Sequence, residues 1–345
     1  MYLLGLPGGN LLFGHFDSFV RFHSKGDIVK RFLIKAFLFI FVACGFSRIM
    51  LGQDQVVIPK VDGDFWQIAG DPDLGQYTSP KQQPVDFGIW QAADGTWQLW
   101  SCIRSTKVPG KTRLFYRWQA NKITDSNWTP MGIAMMADPN FGETEGGLQA
   151  PYVMKIGSDY YMFYGTWDHI AIAKSKDGKT FARQLMPNRT SGMFGEEAGT
   201  NTRDPQVIKI GSRYYLYYTA YPNRHGVDLV RTSKDLLHWS APTKVAYGGS
   251  EGDGPYSAEC PFVYYHKASG YYYLLRNQYY GENAKFTVYR SKNPLDFGKD
   301  DDKDLVETMP YAAPEIVQSE GQTYLAVLLP NLKGIEVAKL KWEPK

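Results

Sequence analysis

Three carboxylic acids stand just ahead of a proline-like position in separate stretches of this chain. Asp86 precedes Phe87, Asp204 precedes Pro205, and Glu259 lies two residues before Pro261. A lone Asp before Pro is commonly a turn residue, because its side chain bonds to the nearby backbone. Three acids at matching positions of one repeated pattern point instead to convergence on a single cavity. Carboxylates held close repel one another, which raises the pKa of at least one. A protonated acid beside an ionised one is the equipment of general acid–base chemistry. The same pattern occurs twice without an acid, as Gln149-Ala150-Pro151 and Ala312-Ala313-Pro314.

The elements that must position these acids repeat along the chain. Taking Phe87, Pro151, Pro205, Pro261 and Pro314 as equivalent gives spacings of 64, 54, 56 and 53 residues. Proline is tolerated at the first residue of a strand, where its missing N–H leaves no gap in the ladder. Each start runs into β-branched or aromatic residues, then a tight turn, then an aromatic strand such as Tyr160–Tyr164 or Tyr214–Tyr218. Glycine between two such runs is a hairpin signal. Third strands are expected at Arg113–Trp118, Ile170–Ser175, Asp228–Ser233, Phe286–Ser291 and Ile335–Leu340. Five such units without intervening helices predict an all-β fold, a five-bladed β-propeller forming a single domain over residues 53–345. The last unit is one strand short, and the stretch around Phe65–Ile68 is expected to complete it and close the ring.

Composition agrees. Aromatic residues are 15% of the 345, with 24 Tyr against 19 Phe and 9 Trp, which suits strands with one wet edge. A coiled coil, a collagen and a polytopic membrane protein are excluded. The formal charge of +3 is no sign of a nucleic-acid partner. Residues 1–52 hold six of the 38 basic and two of the 35 acidic residues, leaving 32 and 33 for the rest. The body has no basic stripe.

Residues 1–52 are expected to be an N-terminal extension with an export signal. Lys30, Arg31 and Lys35 lead into the apolar run Ala36–Cys44, too short to span a bilayer and right for a secretory signal peptide. Cleavage is expected near Gly52-Gln53, giving a periplasmic or extracellular protein without a membrane span. The alternative is a lipoprotein cut before Cys44. Residues 1–28 suit no signal peptide and suggest a start codon assigned too early, with translation from Val29. Cys102 and Cys260 are too few for a disulfide scaffold and are expected to be thiols.

At the acids the sequence resembles known families. Arg203-Asp204-Pro205 and Glu259-Cys260-Pro261 resemble the RDP and EC-P motifs of glycoside hydrolase family 32. Ala150-Pro151-Tyr152-Val153 and the tyrosine-rich second strands are more similar to family 43. The resemblance covers about residues 85–340 and implies a five-bladed propeller that cuts O-glycosidic bonds. It implies that Asp86 is nucleophile or general base, that Asp204 holds the sugar and tunes its neighbours, and that Glu259 is the general acid. Proximity to Asp204 is expected to keep Glu259 protonated near neutral pH. Val85-Asp86-Phe87-Gly88 departs from the family 32 pattern, and no C-terminal β-sandwich follows; both favour a family 43-like enzyme.

Sugar recognition needs aromatic platforms and polar forks. Candidates are Arg203, Gln149, Trp90, Trp167, His169, His225 and Arg276, with Trp167-Asp168-His169 the foremost segment. No cofactor is expected, although the family 43 resemblance allows a calcium ion on the propeller axis. The expected function is an exported, exo-acting glycoside hydrolase of plant or algal poly- or oligosaccharides. The alternatives are a non-catalytic carbohydrate-binding propeller and a glycoside phosphorylase of the family 130 type.

Overall fold

Strands alternate because a pleated backbone sends successive side chains to opposite faces. In Tyr214–Tyr218 that alternation seats Leu216 and Tyr218 in one interlayer core and Tyr217 in the next, all buried. A blade packed on both faces therefore reads as a nearly continuous aromatic run. The computed structural model describes residues 55–197 and 199–345. The expected export signal and Cys44 lie outside the described residues.

Among the described residues, five antiparallel sheets form the five blades of a propeller. Their innermost strands are Gln83–Gln91, Gln149–Ile156, Arg203–Ile210, Glu259–His266 and Glu315–Ser319. These are the five starts expected from the repeat, four led by proline and one by Phe87. The third strands fall at Leu114–Ala120, Ile170–Ser175, Val227–Ser233, Lys285–Ser291 and Gly334–Pro344, each overlapping its expected position. Val57–Gly70 pairs antiparallel with Gly334–Pro344 and supplies the outer strand of blade 5. The ring is thus closed by the two ends of the described chain, and closure leaves no long sheet edge exposed.

Large aromatics fill the wedges between blades. Trp100, Trp118, Tyr160, Tyr217 and Tyr273 are all at most 2% exposed. Each such side chain contributes roughly 1.5–3 kcal/mol through burial. Near the axis the packing is tighter. Gly88 faces the Pro151 carbonyl so closely that a Cβ there would lie 2.4 Å from the oxygen.

One local device repeats in every blade. Asp86, Ala150, Asp204, Cys260 and Ala313 all have positive φ, between 35° and 57°. In blades 1 to 4 the ladder register slips across this residue, at Val85/Phe87, Gln149/Tyr152, Arg203/Gln206 and Glu259/Phe262. The slip is a β-bulge, which re-aims the side chains beside it. A left-handed non-glycine residue costs on the order of 1–3 kcal/mol and persists only when its surroundings hold it. Five strained residues ring the axis at one level.

Candidate active site

The bulge sorts the acids into two layers. Asp86 and Asp204 are bulge residues, whereas Glu259 lies one residue earlier, at the level of Gln149 and Arg203. Above the bulges lies a cavity of about 560 Å³, whose wall includes Asp86, Glu259, Arg203, Gln149 and Trp167. Below it a channel of about 30 Å³ runs along the axis, bordered by Asp86, Asp204 and Glu315. Asp86 borders both spaces. The expectation that all three acids line one pocket is therefore corrected: Asp204 sits one layer deeper than Glu259.

Arg203 ties the layers together. Its Nη2 donates to Glu259 Oε1 in a close ion pair, and its Nε lies 3.4 Å from Asp204 Oδ2. Nη1 donates to the Asn201 carbonyl at 3.0 Å, and the guanidinium lies over Tyr221. Only 4% of Arg203 is exposed, so these bonds are shielded from water. Asp204 Oδ2 also accepts the Cys260 backbone N–H at 3.2 Å, while its Oδ1 is buried without a partner.

Burial raises the Glu259 pKa above the usual carboxylate range; Arg203 opposes the rise and Asp86 adds to it. Asp204 and Glu259 also repel each other, as the sequence suggested, and Asp86 adds a second acidic neighbour. Burial pushes Asp204 up to about 7, again against Arg203, with help from Asp86 and Glu259. Asp86 is differently placed. Its Oδ1 accepts the Tyr280 hydroxyl at 3.1 Å and the Cys260 thiol at 3.4 Å. One wall thus holds an acid buried against an arginine, and another an acid fixed by neutral donors.

Four expected recognition residues lie elsewhere. Trp90 is buried between blades 1 and 2, donating its indole N–H to the Gly178 carbonyl at 2.7 Å and packing on Trp100 and Phe181. It sits four residues beyond the bulge, at the far end of its strand, so alternation carries it into the core. His169 is exposed, and its ring packs against Gly192 rather than the cavity. His225 is also exposed, bonded to Asp253 at 2.9 Å. Arg276 is buried and donates to the Ser257 and Gly248 carbonyls at 2.9 and 3.2 Å. It supports the segment Gly248–Ser257, part of which forms one cavity wall, without reaching the cavity itself.

Gln149 and Trp167 do reach it. Gln149 Oε1 is buried with no partner, leaving an acceptor uncommitted. Trp167 holds an unusual φ of 85°, where the backbone turns to bond Thr166 N–H to the His169 carbonyl at 2.8 Å. The sequence reading missed Arg104, Arg113, Tyr221, Tyr256, Gln278 and Tyr280, which also line the cavity. They sit at the ends of second and third strands or in loops, where no repeat equivalence marks them.

The axial channel does not suit calcium, which takes 6–8 oxygen ligands. It holds only about 30 Å³, its walls set proline, phenylalanine and alanine between the acids Asp86, Asp204 and Glu315, and the Gln206 amide is bonded at both ends to Val263. Among the described residues, no three His, Cys, Asp or Glu side chains cluster as metal ligands.

No protein-family model matches the chain, and no curated protein matches it in sequence. Solved structures do match in fold. A thermostable family-43 glycoside hydrolase superposes with a TM-score of 0.54 at 16% identity, over 78% of this chain and 92% of that one. A family 117 glycoside hydrolase from the marine bacterium Zobellia galactanivorans gives 0.56 at 14%, over 84% and 92%. The family 32 β-fructofuranosidase of Bombyx mori gives 0.56 at 16%, over 81% of this chain and 65% of that longer one. The fold is the five-bladed propeller found in glycoside hydrolases of families 43, 32 and 117.

Proposed function

We propose that this chain is a glycoside hydrolase, with Glu259 as general acid and Asp86 as the carboxylate on the other side of the sugar. The observation that carries this reading is the cavity that both acids border, one of them buried against Arg203 with its pKa raised by burial. An oxocarbenium-like transition state needs a proton at the leaving oxygen and negative charge facing the anomeric carbon. Glu259 supplies the proton. Asp86 supplies the charge, held in place by Tyr280 and Cys260. Asp204 and Arg203 are positioning residues, since the guanidinium bridges both buried acids and fixes where Glu259 points.

A cavity of about 560 Å³ is in the range of small-ligand sites and suits the end of a saccharide. Exo action on plant or algal poly- or oligosaccharides fits that size. Export follows from the leader sequence, and no helix among the described residues is long and apolar enough to cross a membrane. Two other readings fare less well. A purely sugar-binding propeller would have no use for strained, buried carboxylates at the axis. A phosphorylase would need a basic phosphate pocket; of Arg203, Arg224, His225 and Arg276 only Arg203 lines the cavity, and it is bonded to Glu259.

The test is Glu259→Gln, assayed on a panel of nitrophenyl glycosides and natural oligosaccharides. Turnover should fall by about 10²–10⁴-fold while the substrate still binds, the usual effect of removing a general acid. Near-normal turnover would remove Glu259 from the mechanism. Product release that requires phosphate would replace hydrolysis with phosphorolysis.

A further inference from the structure

The blade 1 side of the cavity carries positive charge beyond what the two catalytic carboxyls pair with. Arg104 ends the strand Trp97–Arg104, and Arg113 immediately precedes Leu114–Ala120. Both line the cavity and both are half-buried. Lys111 adds a third cation at the rim. It lies 4.6 Å from the Trp167 ring centroid, and Arg113 lies 5.2 Å from the same ring. Arg104 lies 5.7 Å from the Tyr280 ring and donates its Nε to Gln83 at 2.9 Å.

Among the described residues, none of these three cations has a carboxylate within 4.0 Å, whereas the other charges of the cavity wall are mostly paired. Arg203 is bonded to Glu259, and Glu251 to Lys285 at 2.5 Å. Asp86 takes its bonds from a hydroxyl and a thiol. Glu145 accepts the Lys111 backbone N–H at its carbonyl, yet its side chain forms no ion pair with any of the three. Stacking on an aromatic face orients a guanidinium without consuming its N–H donors. Apart from the contact of Arg113 with the buried Cys102 thiol, Arg113 and the Nη atoms of Arg104 have no protein partner among the described residues, the state of a fork that awaits an oxyanion.

We propose that Arg104 and Arg113, with Trp167 as platform, form a subsite for an anionic substituent of the saccharide, a carboxylate or a sulfate ester. The substrate class is then an acidic glycan rather than a neutral one. This rests on the glycosidase reading, because the subsite adjoins Asp86 and Glu259 in one cavity. A neutral sugar offers the two guanidiniums only hydroxyl acceptors, whereas a carboxylate or sulfate accepts charge-assisted bonds that are roughly twice as strong.

The test uses the full chain carrying Glu259→Gln, so that binding is read without turnover. Its probes are matched oligosaccharides: uronate-containing glycans with their carboxyl-reduced forms, sulfated glycans with their desulfated forms, and inorganic phosphate alone. At least one acidic glycan should bind on the order of 10–100-fold more tightly than its neutral counterpart. Arg113→Met should abolish that preference, and Arg113→Lys should restore part of it, which separates lost charge from misfolding. A preference that survives Arg113→Met, or binding of neutral glycans only, overturns the subsite. So does phosphate that binds here and competes with the acidic glycan no better in the parent than in Arg113→Met. Glu259-dependent hydrolysis of a neutral glycan alone would defeat the subsite and spare the glycosidase reading. Selective binding of an acidic glycan by a parent chain that never cleaves it would do the reverse.

Discussion

Tyr280 donates its hydroxyl hydrogen to Asp86 Oδ1 at 3.1 Å, joining the wall of blade 4 to the bulge of blade 1 across 194 residues of sequence. The same oxygen accepts the Cys260 thiol, and that thiol lies 3.2 Å from the Tyr280 hydroxyl. Two side chains of blade 4 thus lock one carboxylate oxygen of blade 1.

Removing the Tyr280 hydroxyl should therefore loosen Asp86 without disturbing the fold. Hydrogen bonds to charged groups contribute about 1.5–3 kcal/mol. If that contact is made more fully in the transition state, Tyr280→Phe lowers kcat about tenfold and leaves KM nearly unchanged. Steady-state kinetics beside a thermal melt decides. A threefold or smaller loss of kcat with an unchanged melting temperature would mean that Asp86 needs no such anchor.

The two layers around the axis show how far the sequence could be read. Starts led by proline, or by Phe87 in blade 1, repeated in every blade, so Asp86, Asp204 and Glu259 could be aligned, whereas the bulges beneath them had no signal of their own. The depth of each acid was not legible, because it depends on whether the residue is the bulge itself or precedes it. Glu259 sits where Arg203 and Gln149 sit, and its one-residue offset moves it up into the cavity. Trp90 and Arg276 were misread for a related reason. Both lie at strand ends, but the faces they occupy turn into interblade packing and toward the Gly248–Ser257 segment. Tyr280, Arg104 and Arg113 had no repeat partner to mark them. Only folding brings them to the axis.

The buried acids give the fold a pH dependence. Asp228 is fully buried behind the site, both its oxygens lack partners, and burial pushes its pKa up to about 8 although Arg276 opposes the rise. A carboxyl whose pKa rises on folding holds its proton more tightly in the folded state. The resulting stability is complete below the ordinary carboxylate range and is lost as pH climbs through about 8. Asp228→Asn mimics the neutral acid at every pH. It should resemble the parent near pH 4 and exceed it by on the order of a few kcal/mol near pH 9. Denaturant midpoints at the two pH values test this; parallel pH profiles would show that Asp228 does not titrate with folding.

Close packing of the inner strands predicts an intolerant glycine. A Cβ at Gly88 would meet the Pro151 carbonyl oxygen at 2.4 Å and its carbon at 3.3 Å, both backbone atoms that cannot swing aside. Overpacking of this kind typically costs about 1–3 kcal/mol, and here the strain falls two residues from Asp86. Gly88→Ala should lower both the denaturant midpoint and kcat. A variant as stable as the parent would show that blades 1 and 2 slide apart freely at the axis.

The geometry at Asp86 also bears on stereochemistry, where families 32 and 43 pull in opposite directions. Retaining glycosidases hold their two carboxylates about 5–5.5 Å apart so that one attacks the sugar, whereas inverting enzymes hold them about 6.5–9.5 Å apart with water between. The Arg203-Asp204-Pro205 and Glu259-Cys260-Pro261 motifs favour retention by resemblance, and the Val85-Asp86-Phe87-Gly88 context favours inversion. The hydrogen bonds add an argument. Tyr280 and Cys260 both bond Oδ1, and among the described residues no side chain donates to Oδ2. An oxygen so left can orient a water molecule and take its proton. Asp86 is then the base of an inverting reaction, and Glu259 protonates the leaving oxygen from the other side. A proton NMR time course of the first-formed anomer should show the configuration opposite to that of the substrate. A product that first appears with the substrate's own configuration would make Asp86 a nucleophile, and the water-activating role would be withdrawn.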